Sequence, residues 1–198
     1  MESLAYVLTS GWASGLNVYA TVLVTGLVGR VGDVDRVPDV LQRTDVLLAA
    51  GVLSAIEFVA DKIPYVDSGW DTVHTVIRPT LAAVLGALLA GEADDLGEAV
   101  AAVLGGSTAL ASHAAKASLR LAVNASPEPV SNIGLSLAEN TAVVGVLLLA
   151  IEHPWAALAV AAVLLAIAAV LAVVLMRAMR RGWGRLLERL RAKPRDSL

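Results

Sequence analysis

The chain has 198 residues, 57% hydrophobic and 17% charged, with mean hydropathy +0.72 and a formal net charge of −3. Soluble domains average about 45–50% apolar and about 25% charged residues, so this composition describes an integral membrane protein and leaves no room for a sizeable soluble domain. The absence of cysteine excludes disulfides, thiol nucleophiles and thiolate metal sites.

The N-terminal segment MESLAYVLTSGWASG lacks the basic n-region of a secretory signal and is expected to belong to the mature chain. A membrane span needs about 20 apolar residues, and six stretches approach or reach that length. Leu4 to Gly29 is long enough but interrupted by SGWASGLN. Val46 to Ile63 ends at Pro64, and Val76 to Gly91 is shorter and begins at Arg78-Pro79. Leu96 to Val123 carries Gly105-Gly106, and Ile133 to Ile151 follows SPEPVSN, a stiff extended link. Trp155 to Met176 is the only uninterrupted apolar stretch. These segments are expected to be helices, because lipid offers backbone groups no partners and the runs lack the alternation of barrel strands.

The expected fold is an all-α integral membrane protein, a six-span helical bundle of two three-span halves, residues 1–92 and 93–177, with a basic tail over 178–198. An odd number of spans per half forces related halves into opposite orientations, the inverted repeat common in transporters. Sliding the sequence by 94 positions aligns Gly11 with Gly105, Leu16 with Leu110 and Tyr19 with His113. GWASGLN and LGGSTALAS then predict a broken first helix in each half, whose free backbone groups can bind ions. Gly11, Gly15, Gly26 and Gly29, and Gly105, Ala109, Ser112 and Ala115, supply the small-residue stripes that let helices touch in lipid.

Eight of the 15 Lys and Arg residues follow Met176, which predicts a cytoplasmic C-terminus. Counting back six spans puts the N-terminus inside as well, with GEADDLGE and IEHP outside. Arg30, Arg36 and Arg43 fit this orientation poorly. In the tail, Met176, Met179, Trp183, Leu187 and Leu190 recur at spacings of three and four among arginines, predicting an amphipathic helix on anionic headgroups.

Ionised groups at membrane depth cost on the order of 2.5–3.5 kcal/mol each on insertion scales, so those in the spans are the candidate site. Glu57 and Asp61 share a helical face, with Lys62 next to Asp61. His113, Lys116 and Arg120 share another face, and Glu139 lies beside Asn140 in the fifth span. Acidic groups on spans two and five and basic ones on span four can neutralise one another, with Glu57 expected beside Lys116 or Arg120. With Asn17 of GWASGLN and Asn140, these residues are the expected ion- or substrate-binding set. His74, His113 and His153 show no metal-ligand spacing. No cofactor, metal or nucleic-acid motif is present.

The strings SGLNVYATVLVTGLVGR, EFVADKIPYVDSGWDTVHTVIRP, HAAKASLRLAVNASPEPVSN and SLAEN, in this order, resemble an uncharacterised prokaryotic membrane family, domain of unknown function 4126. The resemblance implies a small polytopic membrane protein and no established activity. The expected function is a small transporter or channel of the cytoplasmic membrane, with a buried polar site for a cation, proton or small anionic solute. A second reading is a lipid-handling protein, a translocase or enzyme for a phosphate-headed lipid. A third is a membrane scaffold whose polar network is structural. The expected partners are anionic headgroups, a small ion, solute or lipid ligand, and a second copy of the chain in a homo-oligomer.

Overall fold

The computed structural model describes the backbone of residues 2–32, 34, 36–91, 97–124 and 129–191, and their side chains except Pro64, Pro129 and 182–191. Seven helices make up the described fold: α1 (Glu2–Gly32), α2 (Asp39–Gln42), α3 (Thr44–Ala60), α4 (Pro64–Gly91), α5 (Glu98–Asn124), α6 (Pro129–Glu152) and α7 (Pro154–Arg191). By length and composition α1, α4, α6 and α7 are long and apolar enough to cross a membrane. Of the others, α3 has only 17 residues and α5 carries Lys116 and Arg120 in its body.

The interruption expected in GWASGLN falls at Asn17, whose backbone is extended (φ −154°, ψ 97°) between two helical arms. The arms fold back on each other. Tyr6 lies beside Thr25, and Glu2 is 3.7 Å from Arg36. In a straight helix residues 6 and 25 would stand about 28 Å apart. Each arm is about 22 Å long by the same rise, short of a hydrocarbon core of about 30 Å. The first predicted span is therefore a hairpin with its tip at Asn17.

The remaining directions follow from close contacts. On α3, Leu47 lies against Gly26 and Gly51 faces Leu23, so α3 runs antiparallel to the second arm. Ala82 meets Gly105 and Ala101 meets Gly86, so α4 and α5 are antiparallel. Gly11 meets Gly105, and Gly15 meets Ala109 and Ser112, which aligns the first arm with α5 in the same direction. A Cβ on Gly15 would collide with the Ser112 hydroxyl and the Ala109 carbonyl, so this approach needs glycine. An alternation of six full spans would run these two helices in opposite directions. The reversal at Asn17 adds one change of chain direction and so produces the parallel pairing.

Three other sequence expectations change. Pro79 lies inside α4, which begins fifteen residues earlier, at Pro64. LGGSTALAS is continuous helix within α5, so only α1 is broken. The tail is helically continuous with the last span through Arg191, so no break starts a separate surface helix. Its side chains from 182 onward and its backbone from 192, Ala125 and residues 126–128 of the SPEPVSN link, 92–96 of GEADDLGE, and Asp33 and Asp35 lie outside the described residues.

The apolar core sits toward the end of the bundle where Glu2, Gly91, Glu98 and Glu152 lie. Tyr6, Val7, Leu85, Leu89, Ala101 and Leu147 pack together there. On the outside, α7 buries Ala157, Ala161 and Ala172 and exposes Val163, Ile167, Val170 and Val174. A helix that buries alanine and exposes branched apolar residues is suited to a lipid surround.

Candidate functional site

The first arm of α1 ends at the hairpin tip, and its last carbonyls have no intrahelical donors. Side chains from α4 and α5 cap them. Arg78 Nη1 donates to Gly15 O (3.1 Å) and Lys116 Nζ to Leu16 O (2.9 Å), while Ser112 Oγ donates to Trp12 O (2.9 Å), one turn back from the end. Cations at a helix C-terminus also complement its dipole. Asn17 caps the second arm, its Oδ1 accepting from the Ala20 N–H at 2.8 Å. Asn17 Nδ2 donates to Asn140 Oδ1 at 3.2 Å, and Asn140 donates to Ser136 O at 2.9 Å.

Around this tip lies a buried network of charge. Arg78 holds Glu57 at 2.8 Å and lies 3.2 Å from Asp71. Lys116 is 3.1 Å from Asp61, 3.7 Å from Glu139 and 3.8 Å from Glu57. Arg120 is 2.6 Å from Glu139, 3.5 Å from Asp61 and 3.7 Å from Asp67. It also donates to Asn132 Oδ1 (2.7 Å) and to Asp61 O (2.8 Å). Among these ion-pair partners Glu139 is the most exposed, at 11%.

Five carboxylates, of Glu57, Asp61, Asp67, Asp71 and Glu139, face the three cations. With all ionised, negative charge exceeds positive by two. Glu57 Oε2, Asp61 Oδ1, Asp67 Oδ1 and both oxygens of Asp71 accept no hydrogen bond from the described residues. Buried acceptors left this way cost free energy, and protonation or cation binding would relieve it.

The histidines are tied into the same network. His113 Nδ1 lies 2.6 Å from Arg78 Nη1, and its Nε2 lies 3.1 Å from Asp71 O. Arginine only donates, so Nδ1 accepts and Nε2 carries the proton, which makes His113 neutral. His74 donates from Nδ1 to Trp70 O (2.8 Å), and its Nε2 is 3.1 Å from the Tyr19 hydroxyl. No group of three or more His, Asp or Glu among the described residues is placed to hold a metal ion.

The structure thus brings Glu57, Asp61, His113, Lys116, Arg120, Glu139, Asn17 and Asn140 together at one level of the bundle. Lys62 stays at the margin. Its Nζ donates to Phe58 O (2.7 Å), sits 3.0 Å above the Phe58 ring and reaches Ser136 Oγ at 3.4 Å. Lys116 lies near Glu57, as expected, but Arg78 is the closer partner.

Sequence reasoning missed Arg78, Asp71 and Asp67. Their signal was present: Asp67, Asp71, His74 and Arg78 are spaced four, three and four, one face of a helix. Reading Arg78-Pro79 as a helix start hid it. Asn132 was likewise taken for part of a link, although α6 already includes it.

A family profile described as domain of unknown function, DUF4126, matches residues 4–174. The chain belongs to this family. The match spans all the helices that supply the cluster and stops within α7. Comparison with curated proteins and with solved structures returns no match.

Proposed function

We propose that this protein is a small transporter of the cytoplasmic membrane that moves protons through the charge network at the tip of the α1 hairpin. One observation carries the reading: a broken helix ends, deep in the bundle, against carboxylates that outnumber their cations and keep oxygens unpaired. Ionisable groups at membrane depth usually mark ion paths or proton relays. Broken helices at that depth are the usual way a transporter presents backbone groups to an ion.

In this reading α3 to α7 cross the bilayer and α1 enters and leaves on one side. Arg177, Arg180 and Arg181 near the far end of α7 favour a cytoplasmic C-terminus. Five crossings then put the N-terminus outside, in place of the N-in arrangement that six spans imply. The same count takes away the three-span unit on which an inverted repeat depends, so the proposal rests on the site and not on symmetry. Division of the chain at residue 92 into two halves is retained only as a description of the connection between α4 and α5.

The test is proton flux in proteoliposomes driven by a potassium diffusion potential, reported by a trapped pH dye. The wild type should carry protons well above empty vesicles, and Glu57→Gln, which keeps shape but cannot ionise, should fall to the empty-vesicle rate. Wild-type vesicles indistinguishable from empty ones would reject the reading.

A lipid-handling reading has one supporting observation. A cavity of about 230 Å³ lies between α1, α5, α6 and α7, apolar except for Ser112, Lys116 and Glu139. Both charges there are satisfied by partners within the cluster, which favours the proton reading.

A further inference from the structure

A second cavity, of about 210 Å³, lies between α4 and α5 and is lined by Ser68, Asp71, Thr72, Thr75, Ala117 and Arg120, among others. It lies toward the α4 N-terminus and the α5 C-terminus, the end from which the basic stretch of α7 emerges. The opposite end is closed by the apolar core around Tyr6, Leu85 and Leu89. The cavity is therefore a one-sided approach to the cluster.

Its wall is built to accept protons. Thr72 Oγ1 donates to Ser68 O (2.8 Å) and Thr75 Oγ1 to Asp71 O (3.0 Å). Both hydroxyl hydrogens are turned into the helix; the Thr75 oxygen lies 3.1 Å from His113 Nε2 and accepts from it, so Thr72 keeps its lone pairs for the cavity. Asp71 is only 5% exposed, lines this cavity, and neither of its carboxylate oxygens accepts a hydrogen bond from the described residues.

We propose that Asp71 is the proton-loading residue of this protein, reached through the α4–α5 cavity from the side that bears the basic end of α7. A proton delivered by hydronium forms an O–H bond at Oδ2, releases water and turns the carboxylate into a neutral acid. A metal cation is disfavoured at the same place, because Arg78 Nη1 is 3.2 Å from Oδ1 and Arg120 forms part of the wall. A further full positive charge is repelled there, whereas a proton is bound covalently.

Loading is felt at the hairpin tip through Arg78. Its Nη1 touches Asp71, the Gly15 carbonyl and His113 Nδ1, while Nη2 holds Glu57. The groups that face Asp71 are Asp67, His74 and Arg78 on its own helix and His113 and Arg120 from α5; Glu57 of α3 lies across Arg78. Neutralising Asp71 removes one of the two carboxylates that hold the guanidinium. Arg78 is then shared only by Glu57, Gly15 and His113. The onward step to Glu57 rests on the transport reading, while uptake at Asp71 stands on the cavity alone.

Two measurements test the proposal. Infrared difference spectra on acidification should contain the C=O stretch of a protonated carboxyl that is lost in Asp71→Asn and displaced in Asp71→Glu. Thr72→Cys, the only cysteine in such a variant, should react with a membrane-impermeant maleimide from the Arg177 side of the vesicle and not from the other. A band unchanged in a folded Asp71→Asn protein, or labelling only from the opposite side, overturns the proposal. If Asp71→Asn does not fold, Asp71→Glu decides, and a band that stays in place overturns it. Band loss and one-sided labelling without wild-type flux would retain Asp71 as an uptake site and reject transport. Flux with an unchanged band would reject Asp71 and retain transport.

Discussion

Arg78 and Asn17 hold the site together by serving two elements each. Arg78 bridges α3 and the hairpin tip from α4, and Asn17 caps its own arm while bonding to α6. Arg78→Met should leave Asp71 without its charge partner and Glu57 with Lys116 alone, a loss of about 3–5 kcal/mol, read as a large fall in thermal midpoint in detergent. Asn17→Ala removes an N-cap and should cost about 0.5–2 kcal/mol by the same measurement. A midpoint unchanged by Arg78→Met would show that these carboxylates are neutral without it. At this scale, much of the cluster was legible in sequence, because Glu57, Asp61, Lys116, Arg120 and Glu139 interrupt apolar runs. Arg78 and Asp71 were not, because a proline ordinarily opens a helix, and Pro79 is instead inside one.

The hairpin of α1 is the element on which the account turns. Its break was visible as SGWASGLN, but the reversal was not. Helical pattern continues on both sides of Asn17, and only tertiary partners fix the extended backbone there. Cysteines at Tyr6 and Thr25 should be joined within one chain by a flexible bismaleimide that spans about 10 Å, since the two side chains meet, whereas a straight helix would hold them about 28 Å apart. No cross-link would be expected from a straight helix, and its absence would restore α1 as a span. Close approach of α4 and α5 provides a second check. A Cβ on Gly105 would lie 2.7 Å from the Ala82 carbonyl, so Gly105→Val should destabilise by about 1–3 kcal/mol or more. Tolerance of valine would mean that the two helices stand farther apart.

For the whole molecule, the membrane class was evident from composition and the all-helical fold from apolar runs without strand alternation, whereas the start of α4 at Pro64 and the reversal within α1 were not. Orientation was not, because the positive-inside count depends on the number of crossings and one hairpin changes its parity. Cysteine labelling of this cysteine-free chain separates the alternatives. A cysteine at Glu2 should react with an impermeant reagent from outside intact cells, and one at Arg181 only after permeabilisation. Both termini behaving alike would restore an even number of crossings. The same scale explains why stability is distributed unevenly, with the apolar core at one end and the charge network at the other.

Proton flux and stability measured together on two variants address the central claim, that the network works by ionising and is more than a static brace. Glu57→Gln should abolish potential-driven proton flux in proteoliposomes and lower the thermal midpoint, since Lys116 and Arg78 lose a charge partner. Adding Lys116→Met takes from Asp61 its nearest cation and returns the excess of negative charge from one to two, so the midpoint should fall further, while flux stays at the empty-vesicle rate. Flux that returns together with stability in the double variant would contradict the account and make Glu57 a structural ion-pair partner.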